Sequence, residues 1–424
     1  MFTKIVNAGI VVCCDAANTI LYDQSIVIKD GLIASICERD KNHDIEGEVI
    51  DATKHIVIPG LVNAHTHIPM SYFRGLADDL PLEVWLSKYI WPREAQYISP
   101  DFIYQASLHW IGECIKNGIT CINDMYFIPS QTVRACRESG IRAVIGDVLL
   151  DFPMGESHKP QDNLKFIEAL IESVADTSLI DISIAPHSVY ACGTDSWKQA
   201  ILAARKYGLL LQTHLCESAK EVAEFQQSPV KYLYELGAFE SKFVMAHGVH
   251  LDESDFALLE DKDVSVAINL HSNLKLASGI PPIKEYLQRG INVAFGTDGV
   301  ASNNRLSIID EISTAAKLYK AIYKDPTFLP AKEILKMATI GGAKAIGKDH
   351  IIGSIEVGKA ADMVTIDIDN FQSQPMYDPY SHIIYGMNSQ NIKNVIVNGN
   401  LLMADGNLVT LDERRILTQC RYLT

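Results

Sequence analysis

Between residues 56 and 299 the chain carries eight short apolar blocks, and stretches with the spacing of amphipathic helices separate them. The blocks are 56–67, 119–126, 141–150, 180–188, 209–217, 243–250, 264–270 and 291–299. They are rich in Val, Ile and Leu and lack polar alternation, as strands covered on both faces require. Gly118, Gly140, Gly208, Gly237 and Gly290 stand just before strand blocks, where glycine ends a helix in the left-handed conformation. Ser99, Pro100 and Asp101 mark a helix start by cap, fixed φ and dipole. Eight such units with right-handed crossovers close most economically into a (β/α)8 TIM-like barrel over residues 56–349. The rival is a doubly wound open sheet, but no G-x-G-x-x-G follows the first block.

The two ends of the chain read differently. Residues 1–55 and 350–424 show short strands punctuated by Asp30-Gly31, Gly353, Gly358, Asn398-Gly399 and Asp405-Gly406, with no strong helical period. Both termini are therefore expected to pair into one small β-sandwich domain beside the barrel.

Composition narrows the partners. Lys and Arg number 37 against 52 Asp and Glu, a net charge of −15 without any basic stripe, which argues against a nucleic-acid surface. The nine cysteines are odd in number, irregular in spacing and free of any C-x-x-C, so neither a disulfide framework nor a zinc ribbon fits. Reduced thiols in a cytoplasmic protein are expected. The early apolar run at 9–14 is too short for a secretory signal, and no run approaches the ~18 residues of a membrane span. The expected partner is a small-molecule substrate, and a homo-oligomer, by default a dimer, is the expected assembly.

Chemistry gathers at the ends of the strand blocks. Block one ends in His65-Thr66-His67, whose i and i+2 imidazoles share a face and can meet one metal. Block four ends with His187, block five with His214 and Glu217, block six with His247, and block eight with Asp298. Any one of these reads equally well as a core histidine, but several at the rim where barrel enzymes keep their catalytic groups do not. Arg134, Arg137 and Arg142 read as a solvated helix face, and Lys344 and Lys348 as helix-surface charges. Neither His-Glu-x-x-His nor the Pro-Cys-x-x-Cys signature of small zinc deaminases is present.

Pro59-Gly60-Leu61-Val62-Asn63-Ala64-His65-Thr66-His67, His214-x-x-Glu217, His247 and Thr297-Asp298-Gly299-x-x-Ser302-Asn303-Asn304 resemble the amidohydrolase superfamily. Within it they resemble the branch of chlorohydrolases and methylthioadenosine/S-adenosylhomocysteine deaminases. Gly353-Ser354-Ile355-Glu356-Val357-Gly358-Lys359-x-Ala361-Asp362 is similar to the segment that returns such chains to their β-sandwich, so the resemblance spans nearly the whole length. It implies His65, His67, His214 and Asp298 as ligands of a single divalent ion, zinc first, with iron or manganese also compatible. Block four ends Ala185-Pro186-His187-Ser188, without a lysine to bridge a second metal.

The resemblance further implies Glu217 as general acid/base, His247 as the group orienting the nucleophile or polarising the scissile centre, and a proton-relay role for Asp298. Trp85, Glu94, His187 and Ser302 are the implied substrate contacts, Glu94 holding ribose hydroxyls; Trp85 also reads as an ordinary core aromatic and Glu94 as a solvated charge. The implied activity is hydrolytic deamination of an adenine nucleoside, 5′-methylthioadenosine first, with S-adenosylhomocysteine or adenosine next. The alternatives are hydrolysis on another heteroaromatic ring (guanine, cytosine, aminodeoxyfutalosine or a chlorotriazine) and, in another class, a non-enzymatic scaffold. No arginine lies between Ala143 and Ala204, where Asp147, Asp151, Phe152, Pro153 and Met154 stand with Lys159 as nearest cation. A carboxylate-bearing tail is therefore expected to bind less well than a methylthio group.

Overall fold

The computed structural model describes residues 3–39, 46–152 and 163–421; Pro153, Met154 and Lys159 lie outside them. Eight parallel strands form one sheet, each hydrogen-bonded to the next in chain order. They are Leu61–Thr66, Ile119–Tyr126, Arg142–Leu149, Ile180–Pro186, Leu210–Leu215, Phe243–His247, Val264–Ile268 and Asn292–Phe295. Every one falls in an expected block. A parallel bridge from Thr66 to Asp298 closes the sheet between its first and last strands, which makes it a barrel. The five glycines expected to end helices all adopt positive φ, between 64° and 78°. Ser99 caps the helix Pro100–Lys116 by accepting from the Phe102 amide.

The terminal segments form a second eight-stranded sheet. Four strands come from the N-terminus (Thr3–Val12, Ile20–Lys29, Leu32–Glu38, Glu48–Pro59) and four from the C-terminus (Met363–Asp367, Ile392–Val397, Asn400–Ala404, Asn407–Leu408). They join where Glu48–Pro59 pairs antiparallel with Met363–Asp367, and Val6, Ile26, Ile28, Val57, Met363 and Ile396 share an apolar cluster there.

Two sequence expectations are corrected here. The block 56–67 is two strands: residues up to Pro59 belong to the terminal sheet, and Leu61 begins the barrel. Gly60 is the joint, because a Cβ there would lie 1.9 Å from Thr120 Oγ1, and only glycine lets the backbone pass so close. The C-terminal flank, without strong helical period in the sequence, also forms a helix, Glu413–Arg421. Ile416 of that helix is buried, and Glu413 pairs with Lys116 at 2.8 Å.

Arg142 corrects a third. It begins barrel strand three instead of joining Arg134 and Arg137 on the helix Pro129–Ser139. Its side chain is 4% exposed and forms two parallel hydrogen bonds, of 2.8 and 3.0 Å, to the carboxylate of Asp362, itself 1% exposed. Asp362 also accepts from the Asn398 amide at 2.8 Å, while its carbonyl accepts from Gly60. The pair thus pins the floor of the barrel to the terminal sheet, the end of such a barrel that serves stability. Lys348 likewise pairs with Asp181 at 2.7 Å with its side chain only 18% exposed, whereas Lys344 is exposed as expected. Removing one partner of a buried pair strands the other charge. Asp362→Ala should therefore cost about 3–5 kcal/mol of stability, read as a lowered denaturation midpoint, while leaving bound metal unchanged.

Candidate metal and active site

The expected ligands, the acid/base groups and Trp85, Glu94, His187 and Ser302 converge at the carboxyl end of the barrel, whereas Asp147, Asp151 and Phe152, expected near the substrate tail, do not line the pocket there. His65 lies within strand one and His67 just past it, His214 in strand five, His247 at the end of strand six, and Asp298 just after strand eight. His67, His187, His214, Glu217, His247, Asp298 and Ser302 line one pocket together with Trp85 and Glu94. His65 is wholly buried. Ligand atoms of His65, His214, His247 and Asp298 all lie within 4.8 Å of one another. His67 belongs to the same cluster, its Nε2 lying 3.0 Å from His214 Nε2 and 3.1 Å from Asp298 Oδ1.

The hydrogen bonds around the ring show that a cation fits. His67 Nδ1 lies 2.7 Å from the Met125 carbonyl, and His214 Nδ1 lies 2.8 Å from the His187 carbonyl. A carbonyl only accepts, so both rings carry a proton on Nδ1, and with each ring neutral the Nε2 lone pairs face each other as two ligands of one ion would. Two lone pairs 3.0 Å apart repel unless a cation lies between them. His65, completely buried, has no hydrogen-bond partner for either ring nitrogen, as a metal ligand would. Burial, aided by neighbouring histidines, holds His65 and His214 well below the usual imidazole range, so both are neutral. The spacings are near the ~3.4 Å edge of a tetrahedron with bonds of about 2.1 Å.

The same carboxylate is held from behind. Ser272 and Ser302 donate to Asp298 Oδ2 at 2.6 and 2.8 Å, which leaves Oδ1 toward His65 and His67. The Ser302 hydroxyl, expected to meet substrate, is thus already engaged. Glu217 faces the cluster from the next loop, with Oε2 3.8 Å from His247 Nε2, and it accepts from Ser278 at 3.2 Å. Burial raises its pKa, opposed by His247 and reinforced by Asp298. Cys216, His247 and Asp298 adopt φ of 54°, 73° and 58°, a left-handed conformation that costs non-glycine residues energy and tends to gather at functional sites.

Several participants escaped sequence reasoning. Glu221 accepts from the backbone N–H groups of Cys216 and Glu217 at 3.0 and 2.9 Å, clamping the loop that presents Glu217. Its signal was the Ser218-x-x-Glu221 pattern, a capping box displaced outward from the helix Ala219–Glu224. Tyr126 donates to Glu94 Oε1 at 2.6 Å inside the pocket; burial pushes Glu94 up to about 7, against the effect of that bond. Ser272 and Asn273 follow strand seven, a strand on which no functional residue was expected. His187 is only partly buried by its neighbours, yet desolvation lowers it to about 3 and keeps it neutral. Trp85 and Glu94 are both buried, Trp85 packing with Met70, Ile90 and Phe102 as well as lining the pocket.

A barrel with this cluster at its carboxyl rim defines a metal-dependent hydrolase class. The family model described as the amidohydrolase family matches residues 56–402, and the chain belongs to that family. It is 37% identical to the 5-methylthioadenosine/S-adenosylhomocysteine deaminase 1 of Syntrophus aciditrophicus, covering 99% of this chain and 96% of that one. It is 39% identical to the 5′-deoxyadenosine deaminase of Methanothermobacter thermautotrophicus, over 93% and 92% of the two chains. An adenosine deaminase from Xanthomonas campestris with bound zinc superposes with a TM-score of 0.96 at 33% identity, over 99% and 97%. No described helix is long and apolar enough to cross a membrane.

Ser302→Ala removes a donor that orients Asp298 and leaves the four cluster side chains in place. Metal affinity, measured by competition with a chelator, should fall about 10–100-fold, the usual cost of losing a partner of a ligand.

Proposed function

We propose that this protein is a hydrolytic deaminase of adenine nucleosides, with 5′-methylthioadenosine as preferred substrate. The observation that carries the reading is the buried Glu217 carboxylate facing His247 beside His65, His67, His214 and Asp298, three imidazoles and a carboxylate that suit a divalent ion. In this reading His65, His67, His214 and Asp298 hold one metal, zinc first. A divalent ion bound there supplies the acidification that makes water a nucleophile near neutral pH.

Glu217 takes a proton from the attacking water and passes it to the ring nitrogen beside the amino-bearing carbon. The carbon–oxygen bond forms as that nitrogen gains its proton. The other proton of that water, left on the new hydroxyl, then passes to the amino group, which leaves as ammonia as the carbon–nitrogen bond breaks and the carbon–oxygen bond becomes a carbonyl. The raised pKa of Glu217 suits both halves of this shuttle. His247 orients the reacting centre. Glu94, with Oε1 taken by Tyr126, offers Oε2 to a ribose hydroxyl, and His187 forms another part of the pocket wall.

The walls speak to the 5′ substituent. Phe127, Val148, Leu150, Ile90 and Trp91 line the pocket, and no lysine or arginine does so among the described residues. In the adjoining outer chamber Lys220 is paired with Glu83 and Glu224. An apolar methylthio group is matched by such walls, and a free carboxylate is not.

Two measurements test this. Glu217→Gln should retain its metal and lose at least ~10²-fold in turnover, the scale of a positioned acid/base group; near wild-type turnover would remove Glu217 from the proton path. With the wild-type enzyme, the ultraviolet change from adenine to hypoxanthine should give a higher kcat/KM for 5′-methylthioadenosine than for S-adenosylhomocysteine. The reverse order, or no activity on either, would overturn the substrate assignment.

A further inference from the structure

Barrel strand seven contributes no ligand and no acid or base, yet the turn after it reaches two of the groups that do the chemistry. In the helix Leu270–Lys275, Ser272 braces Asp298 and the next residue, Asn273, reaches His247. Asn273 is completely buried, and its Nδ2 lies 2.9 Å from His247 Nδ1. An amide nitrogen only donates, so His247 Nδ1 accepts and the ring proton sits on Nε2. His67 and His214 are protonated the other way round, each with Nδ1 against a carbonyl.

Two further observations favour this tautomer. With the amide reversed, its NH₂ would occupy the place of Oδ1, which has no partner in the buried interior, and an orphaned buried N–H is rarer than an orphaned carbonyl. On the other side of the ring, Nε2 lies 3.8 Å from the Glu217 carboxylate. A proton on Nε2 makes that approach attractive, whereas a lone pair there would repel the carboxylate.

We propose that Asn273 is a positioning residue that holds His247 as an Nε2–H donor toward the reacting centre and so keeps it out of the metal's ligand set. The proposal explains why five groups crowd one point while a tetrahedral ion takes four: His247 has no lone pair to give. The predicted effect on rate rests on the deaminase reading; the tautomer does not.

The test uses the full-length, zinc-loaded protein labelled with ¹⁵N-histidine, the His247 ring signals being assigned by their loss in His247→Gln. Long-range ¹⁵N–¹H correlation should show His247 protonated on Nε2 in the wild type. A carboxylate at this position can only accept, so Asn273→Asp should move the proton to Nδ1. With the tautomer reversed, kcat should fall by about 10²-fold while KM changes less than about threefold, and bound zinc per chain should stay the same. A His247 protonated on Nδ1 in the wild type would overturn the proposal even if the variant did not fold. A loss of kcat in Asn273→Asp with the tautomer unchanged would also overturn it, reducing Asn273 to a packing residue. A wild-type protein inactive on every adenine nucleoside would sink the deaminase reading alone, because the tautomer is read without turnover.

Discussion

The closure of the barrel is the contact on which the site depends. The His65 carbonyl accepts from the backbone N–H of both Thr297 and Asp298 at 3.1 Å, and Thr66 Oγ1 donates to the Asp298 carbonyl at 3.1 Å. These bonds seal strand one to the segment after strand eight. They also place two imidazoles and a carboxylate from opposite ends of the barrel sequence, more than 230 residues apart, around one point. Barrel closure and assembly of the cluster are one event. Its geometry is carried by backbone that cannot move without opening the sheet.

Below the cluster the barrel interior is polar where an ordinary core would be apolar. Asn63 donates to Thr297 Oγ1 at 2.7 Å and accepts from the Thr297 amide. Asn123 donates to Gln212, which donates in turn to Ser183. Buried amides cost free energy unless paired, and a paired network stiffens what it holds. Here it underlies His65 and the Asp298 turn. Above this floor the same economy decides which face each group shows. The Met125 and His187 carbonyls turn lone pairs inward, two serines leave one oxygen of Asp298 free, and Glu221 fixes the loop of Glu217. The left-handed conformations at Cys216, His247 and Asp298 are tolerated because these bonds over-determine them.

Terminal sheet and barrel meet at the opposite, amino end of the strands through Arg142 and Asp362. Stability and chemistry therefore sit at different ends of the barrel. A change at the floor can weaken the fold and leave the rim intact.

The sequence by itself determined the strands, the barrel and the donor types at its rim. Periodicity and glycine stops are local properties: a run such as Ile119–Tyr126 is apolar on both faces wherever it packs, and Gly140 or Gly237 ends a helix by its own φ. His65-Thr66-His67 was legible for the same reason, since two residues apart on a strand means one face. Arg142 misled because three arginines in nine residues look like a helix face, and its carboxylate partner stands 220 positions away. Ser272, Asn273, Tyr126 and Glu221 carry no such local signature, or only that of a cap. Their work consists of single hydrogen bonds to residues that closure brings near. Which ring nitrogen faces the cluster, and which one is turned to a carbonyl or an amide, was decided only in the tertiary structure. Tautomer and orientation depend on the partner across the barrel, and a sequence holds no record of that partner until the strands have met.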